Sequence, residues 1–207
     1  MMTALDEGIG RILKTLERHQ IDKNTIILLS SDNGPHKEGG HMPKYFNSNG
    51  GLRGFKRDLY EGGIRCPLLV RWPGKIEAGT TSDHVSAHWD LFPTFCELAE
   101  TETPGDLDGI SFLPTLLGAE QKQHEYLYWE FFEGGGKRAV RVGKWKAVQN
   151  QVNREGQTAP IEIYDLESDR GETRNLADQK PELIAQVRSI FKRAHTPSPL
   201  WKFIWEK

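Results

Sequence analysis

Residues 25–30, Thr-Ile-Ile-Leu-Leu-Ser, form a short run that is apolar almost throughout. Such a run offers water no polar face, so it suits a strand covered on both sides, as in a parallel sheet. It is followed at once by Ser31-Asp32-Asn33-Gly34 and then by His36, Lys37, Glu38 and His41. Ligands gather beyond the carboxyl ends of strands in open α/β sheets, so a site belongs here if the chain has one. Leu5, Ile9, Ile12, Leu13 and Leu16 fall on one face of a helix predicted over residues 3–19. A helix leading into a buried strand is half of an α/β unit.

Residues 67–72, PLLVRW, predict a second strand, stopped by Pro73-Gly74. DLFPTFCELAE then reads as a helix with Asp90 as N-cap and Pro93 in the first turn, where proline costs no helical hydrogen bond. Beyond about residue 119 the pattern becomes β-rich: EYLYWEFFE, RAVRVGKWKAVQ and IEIYDLE, with Gly143-Lys144 as a two-residue hairpin turn. Trp129, Phe131, Phe132 and Trp145 sit at strand spacing, so core packing is their default reading, with sugar stacking by a minority as the alternative. Tyr128 and Glu130 lie on the opposite face from Trp129, which leaves one face for solvent or a cleft. A last helix is predicted over 181–195, with Leu183, Ile184, Val187, Ile190 and Phe191 inward. The reading is therefore α/β, with an α/β portion over 1–119 and a small antiparallel sheet with a helix over 120–207.

A net charge of −2 gives no electrostatic reason to expect nucleic acid or an anionic membrane surface as partner. No apolar stretch approaches the roughly 20 residues of a membrane span, and the first residues show no signal-peptide core. Cys66 and Cys96 are too few for a disulfide framework.

Asp32 offers a carboxylate and Asn33 an amide oxygen, and hard oxygens of this kind suit calcium or magnesium. Asp-Asn-Gly is equally a common turn. Residues 49–67, NGGLRGFKRDLYEGGIRCP, set glycines beside Arg53, Lys56, Arg57, Glu61 and Arg65. Glycines let backbones approach closely and fixed cations beside them can hold an oxyanion. Alternatively, Arg65 simply pairs with Glu61. His36, Glu38 and His41 are spaced too loosely for a transition-metal cluster and read better as a pocket rim with Lys37 or Lys44. His84 and His88, just before a helix, read as structural.

In their order, SSDNG, GLRGFKRDLYEGGIRCPLLVRWPGKI, DLFPTFCELA, LDGISFLPTLLG and IYDLESDRGETRNLAD resemble the later half of the formylglycine-dependent sulfatases. The resemblance implies the C-terminal part of an alkaline-phosphatase-like sulfatase fold. It implies that Asp32 and Asn33 are two oxygen ligands of the divalent cation, usually calcium, that holds the sulfate. Lys56 corresponds to the catalytic lysine that contacts a sulfate oxygen, and His36 and His41 would line the substrate pocket. Asn33, where a histidine would suit the superfamily's two-metal phosphatases, favours a sulfatase. The implied substrate is a sulfated carbohydrate or aryl sulfate. Full-length relatives are often periplasmic, secreted or lysosomal.

The family's nucleophile is a cysteine converted to formylglycine within a Cys-x-Pro-Ser-Arg type motif. Cys66 precedes Pro67-Leu68-Leu69 and Cys96 precedes Glu97-Leu98-Ala99, so neither fits. The remaining metal-binding aspartates of the family would also lie before residue 25. The expectation is a C-terminal part with weak calcium binding and no turnover by itself. It would self-associate or pair with an N-terminal half. A non-catalytic chain that keeps the fold for ligand or partner binding is the alternative.

Overall fold

The computed structural model describes residues 2–206, which divide into two compact units interleaved along the chain. The first unit comprises residues up to Ser30 and 67–123. Its first element, α1 (Met2–Arg18), follows the predicted amphipathic stripe, yet none of its residues is buried. Strand β1 (Ile27–Ser30) pairs antiparallel with β2 (Leu68–Arg71), with Ile27 opposite Arg71 and Ser30 opposite Leu68.

The structure of this unit departs from what the sequence predicts. The expected parallel sheet is a two-stranded antiparallel one, and neither strand is buried on either face. An apolar run reports that a strand avoids water; it does not report the direction of its neighbour. The local core of this unit instead surrounds helix α3 (Leu91–Leu98), with Cys96 and Phe112 inward. Asp90, expected to cap α3, makes no side-chain cap bond. Its carboxylate accepts the N–H groups of Ala87 (2.7 Å) and Ile110 (2.9 Å), tying the preceding turn to residues 109–112. Thr94 continues the tie: its hydroxyl donates to Asp90 O (2.7 Å) and accepts from Phe112 N (3.0 Å). Short helix α4 (Leu113–Leu116) follows.

The second unit comprises residues 31–66 and 124–206 of the described chain. Strands β3 (Leu127–Phe131), β4 (Lys137–Val142), β5 (Trp145–Asn150) and β6 (Glu162–Asp165) form one antiparallel meander in sequence order. Val142 faces Trp145 across the Gly143-Lys144 turn, and Gly143 has the positive φ (55°) that favours glycine at that place. Helix α5 (Pro181–Ala194) lays Val187, Ile190 and Phe191 against Val140, Ala147, Ile161 and Ile163 on one face of the sheet.

The other face is covered too, contrary to the expectation of a face left to solvent or a cleft. Trp129 and Phe131 pack with Ala139, Val148 and Tyr164 against Leu59 and Tyr60. Polar residues on this same face hold the 53–61 segment down. Lys137 Nζ donates to Asp58 Oδ1 (2.9 Å) and Asn150 Nδ2 to the Tyr60 hydroxyl (2.9 Å), which itself donates to Glu162 (2.7 Å). The sheet thus serves as a platform for the loop that carries Lys56. No helix among the described residues is long and apolar enough to cross a membrane.

Candidate functional site

The candidate site is built from two loops of the second unit, residues 31–49 and 51–66. Close backbone packing joins them. Gly34 N–H donates to Gly63 O at 2.8 Å, and Lys56 N–H donates to Pro35 O at 2.9 Å. A Cβ on Gly34 would stand 1.9 Å from Gly62 O, and one on Gly62 would stand 2.4 Å from Gly54 O. Real Cβ atoms do not approach so closely, so both positions require glycine for space. The short helix α2 (Glu61–Ile64) thus presents Gly62 and Gly63 as a shelf against which the Asp32-Asn33-Gly34 turn sits.

The structure brings the predicted residues into one neighbourhood. Asp32 is exposed, and no hydrogen bond or ion pair engages its carboxylate among the described residues. Asn33 donates its Nδ2 to Gly34 O (2.9 Å), which fixes the amide and leaves its oxygen as the free donor atom to a ligand. Lys56, half-buried, follows Phe55 and precedes Arg57, and both neighbours bind the opposite loop. Lys37 Nζ stands 4.1 Å from the Phe55 ring centroid, and Arg57 pairs with Glu38. His36 Nδ1 accepts the Glu38 N–H (3.1 Å). The His36 and His41 rings are 5.4 Å apart, and His41 stacks on Phe46. The histidines are thus occupied with loop contacts, and no group of three or more His, Cys, Asp or Glu able to hold a metal occurs among the described residues.

The oxygens of Asp32 and Asn33 are of the hard type that suits calcium or magnesium. They would supply two ligands where calcium takes roughly six to eight, so the pair could form only part of such a site. His88, read as structural, lies within 3.2 Å of the Ser30 hydroxyl in the first unit. The alternative pairing of Arg65 with Glu61 is present at 3.4 Å, but Arg65 is not the main partner of that carboxylate.

An N-sulphoglucosamine sulphohydrolase C-terminal family profile matches residues 52–195, and the sulfatase profile matches residues 1–101. The chain belongs to the sulfatase family. It is 30% identical over 209 aligned positions to an N-acetylgalactosamine-6-O-sulfatase of Bacteroides thetaiotaomicron, covering 93% of this chain and 40% of that protein. It is 40% identical over 129 positions to the steryl-sulfatase of Rattus norvegicus, covering 60% of this chain and 22% of that protein. A solved structure in complex with its substrate D-glucosamine-2-N,6-O-disulfate superposes with a TM-score of 0.74 at 27% identity, over 93% of this chain and 39% of that chain. The chain therefore spans two fifths or less of the length of these relatives, and it shares their alkaline-phosphatase-like fold.

The residues that fix the site were not all visible in the sequence. Lys146, Glu172, Tyr164 and Glu162 hold the 53–61 segment from sixty or more positions away, and no local motif links them to it. One signal was available. Lys146 stands between Trp145 and Ala147 and two residues before Val148, at an inward position of β5, and an inward lysine needs a partner.

Proposed function

We propose that this chain is the C-terminal part of a sulfuric ester hydrolase acting on sulfated carbohydrates or aryl sulfates. The observation that supports the reading is the backbone joint between the Asp32-Asn33-Gly34 turn and the Lys56 loop, made by Gly34 N–H to Gly63 O and Lys56 N–H to Pro35 O. Asp32 and Asn33 would bind calcium together with ligands from other polypeptide. A bound divalent cation would neutralise negative charge on the sulfuryl group. Lys56 would place its ammonium on a sulfate oxygen, and His36 and His41 would border the substrate. The names of two relatives, an N-acetylgalactosamine-6-O-sulfatase and a steryl-sulfatase, support a sulfate ester as the bond attacked. Neither cysteine of these 207 residues lies in a formylglycine motif, so the nucleophile would come from outside them.

A partner for the first unit follows from its surface. Met2, Leu5, Ile12, Leu29, Leu68 and Leu69 are all exposed. Burying each such side chain is worth roughly 1.5–3 kcal/mol. Further sulfatase polypeptide, in the same chain or separate, would cover these side chains. Self-association would be its substitute in the isolated chain.

The test uses the 207-residue chain and a polypeptide extended through the in-frame upstream coding region. The extended protein is expected to hydrolyse 4-nitrophenyl sulfate, with Lys56→Ala lowering kcat on the order of a hundredfold or more. The 207-residue chain is expected to show no turnover. Turnover by the short chain that disappears in Asp32→Ala would overturn the division of the site. An extended protein with a formylglycine motif but no sulfatase activity would favour the binding reading.

A further inference from the structure

Lys146 projects from β5 toward the loop-bearing face of the sheet and meets two carboxylates. Its Nζ lies 2.9 Å from Glu61 Oε1 and 3.8 Å from Glu172 Oε1. Lys146 and Glu172 are fully buried, and Glu61 is 3% exposed. Glu172 Oε2 accepts the backbone N–H of Glu61 at 2.7 Å, while Oε1 has no hydrogen-bond partner among the described residues. Glu172 also holds a backbone φ of +52°, a region that non-glycine residues enter only when their surroundings require it. Those surroundings are identifiable: Arg53 Nη1 donates to Glu172 O (3.1 Å), and Glu172 N–H donates to Asp169 O (3.1 Å).

Glu61 is therefore held twice, by its carboxylate and by its N–H. It is also the residue directly before Gly62 and Gly63, the shelf that receives Gly34. We propose that Glu172 and Lys146 are positioning residues for the Asp32–Asn33–Lys56 site: they clamp Glu61, and through the Gly62–Gly63 shelf they fix the turn bearing the two oxygen donors. The catalytic meaning of this clamp rests on the reading above; its mechanical part does not.

The clamp carries a charge imbalance, two buried acids against one lysine. Burial raises the carboxyl pKa of both. For Glu61 the charge and hydrogen bond of Lys146, with the charges of Arg141 and Arg65, together outweigh burial and lower the pKa. For Glu172 burial prevails over Lys146 and the Glu61 N–H, and the Glu61 charge adds to it, so its pKa is pushed up to about 7. The other cations facing the cluster are Arg53 at Glu172, and Arg65 and Arg141 at Glu61. A folded pKa near 7 against an ordinary 4.5 means that the stability Glu172 contributes is complete below 4.5 and is lost as pH rises through 7. Above that point a second buried anion loosens the clamp.

Amide hydrogen exchange by NMR on the 207-residue chain tests this without any catalytic assay. The reporters are the Gly34 and Gly62 amides, which donate to Gly63 O and Arg53 O; the β5 amides of Ala147 and Val148 are the internal reference. In the native chain, protection of the reporters relative to the reference is expected to fall between pH 6 and pH 8, after correction for intrinsic exchange. Glu172→Ala should lower that ratio tenfold or more. Glu172→Gln, which keeps the shape without the charge, should retain the protection and abolish its pH dependence. Exchange at Gly34 and Gly62 that changes only in step with Val148 would overturn the clamp. So would a Glu172→Gln chain with the native pH trend, and this variant decides the matter if Glu172→Ala does not fold. Loss of the sulfatase reading would leave these exchange results unchanged, so the two failures are distinguishable.

Discussion

The two units of this chain differ in how far their own residues close them. In the second, α5 covers one face of the four-stranded sheet and the 53–61 loop covers the other. Among the described buried apolar side chains, all but Pro93, Cys96 and Phe112 belong to that unit. In the first, an amphipathic helix has no buried residue, and its two strands leave Leu29, Leu68 and Leu69 exposed. The loop cluster takes its order from the closed unit. The Asp32-Asn33 turn follows directly after the open β1 in sequence, but it is bonded to the shelf of the closed unit.

The largest effects should therefore come from the closed unit. Phe191→Ala removes a fully buried ring between α5 and the sheet, and urea unfolding should register a loss of about 3–5 kcal/mol. The matching change in the open unit, Ile12→Ala, should cost well under 1 kcal/mol, since a surface site has little burial to lose. Equal losses would erase the contrast. Lys146→Ala should cost about 3–5 kcal/mol by the same measurement, because it strands the buried Glu61 carboxylate. Gly34→Ala sharpens the comparison at the joint: the new methyl meets Gly62 O, which should cost about 1–3 kcal/mol. Calcium affinity measured by calorimetry should fall with it, as it should in Asp32→Ala at unchanged stability.

The smallest effect concerns the C-terminal segment. His195 lies between Glu130 (2.5 Å) and Glu206 (3.1 Å), and Phe203 packs edge-on against its ring. Partial burial lowers the imidazole pKa, but the hydrogen bonds and charge of the two carboxylates outweigh it and raise the pKa above 6.5. The stability from this contact is complete below 6.5 and is lost as pH rises through the raised folded value. Tryptophan fluorescence should therefore report loosening of residues 196–206 on the alkaline side, and His195→Gln should remove that transition.

The sequence was most legible where period and turn chemistry agree. The α1 stripe, the Gly143-Lys144 hairpin and the inward positions of α5 all follow from spacing alone. The ordered motifs identified the family, which the profile matches over residues 1–101 and 52–195 show. Strand direction at β1 was not legible, because an Ile/Leu run looks the same beside a parallel or an antiparallel neighbour. Asp90 illustrates a second limit. A capping residue type stood at the right position, but its carboxylate found the Ala87 and Ile110 amides instead. The pairing of Glu172 and Lys146 with Glu61 was not legible for a third reason. Their partners lie 111 and 85 positions away, and a single sequence carries no record of such pairings.

Hydrogen–deuterium exchange measured by mass spectrometry on the 207-residue chain tests the central contrast most directly. Peptides from β4, β5 and α5 should remain protected for hours, and peptide 31–36 should be protected above its exposed surroundings by its bond to the shelf. Peptides covering α1, β1 and β2 should exchange within minutes. Uniform protection across both units would contradict the account, since it would mean that the first unit closes its own core without further polypeptide.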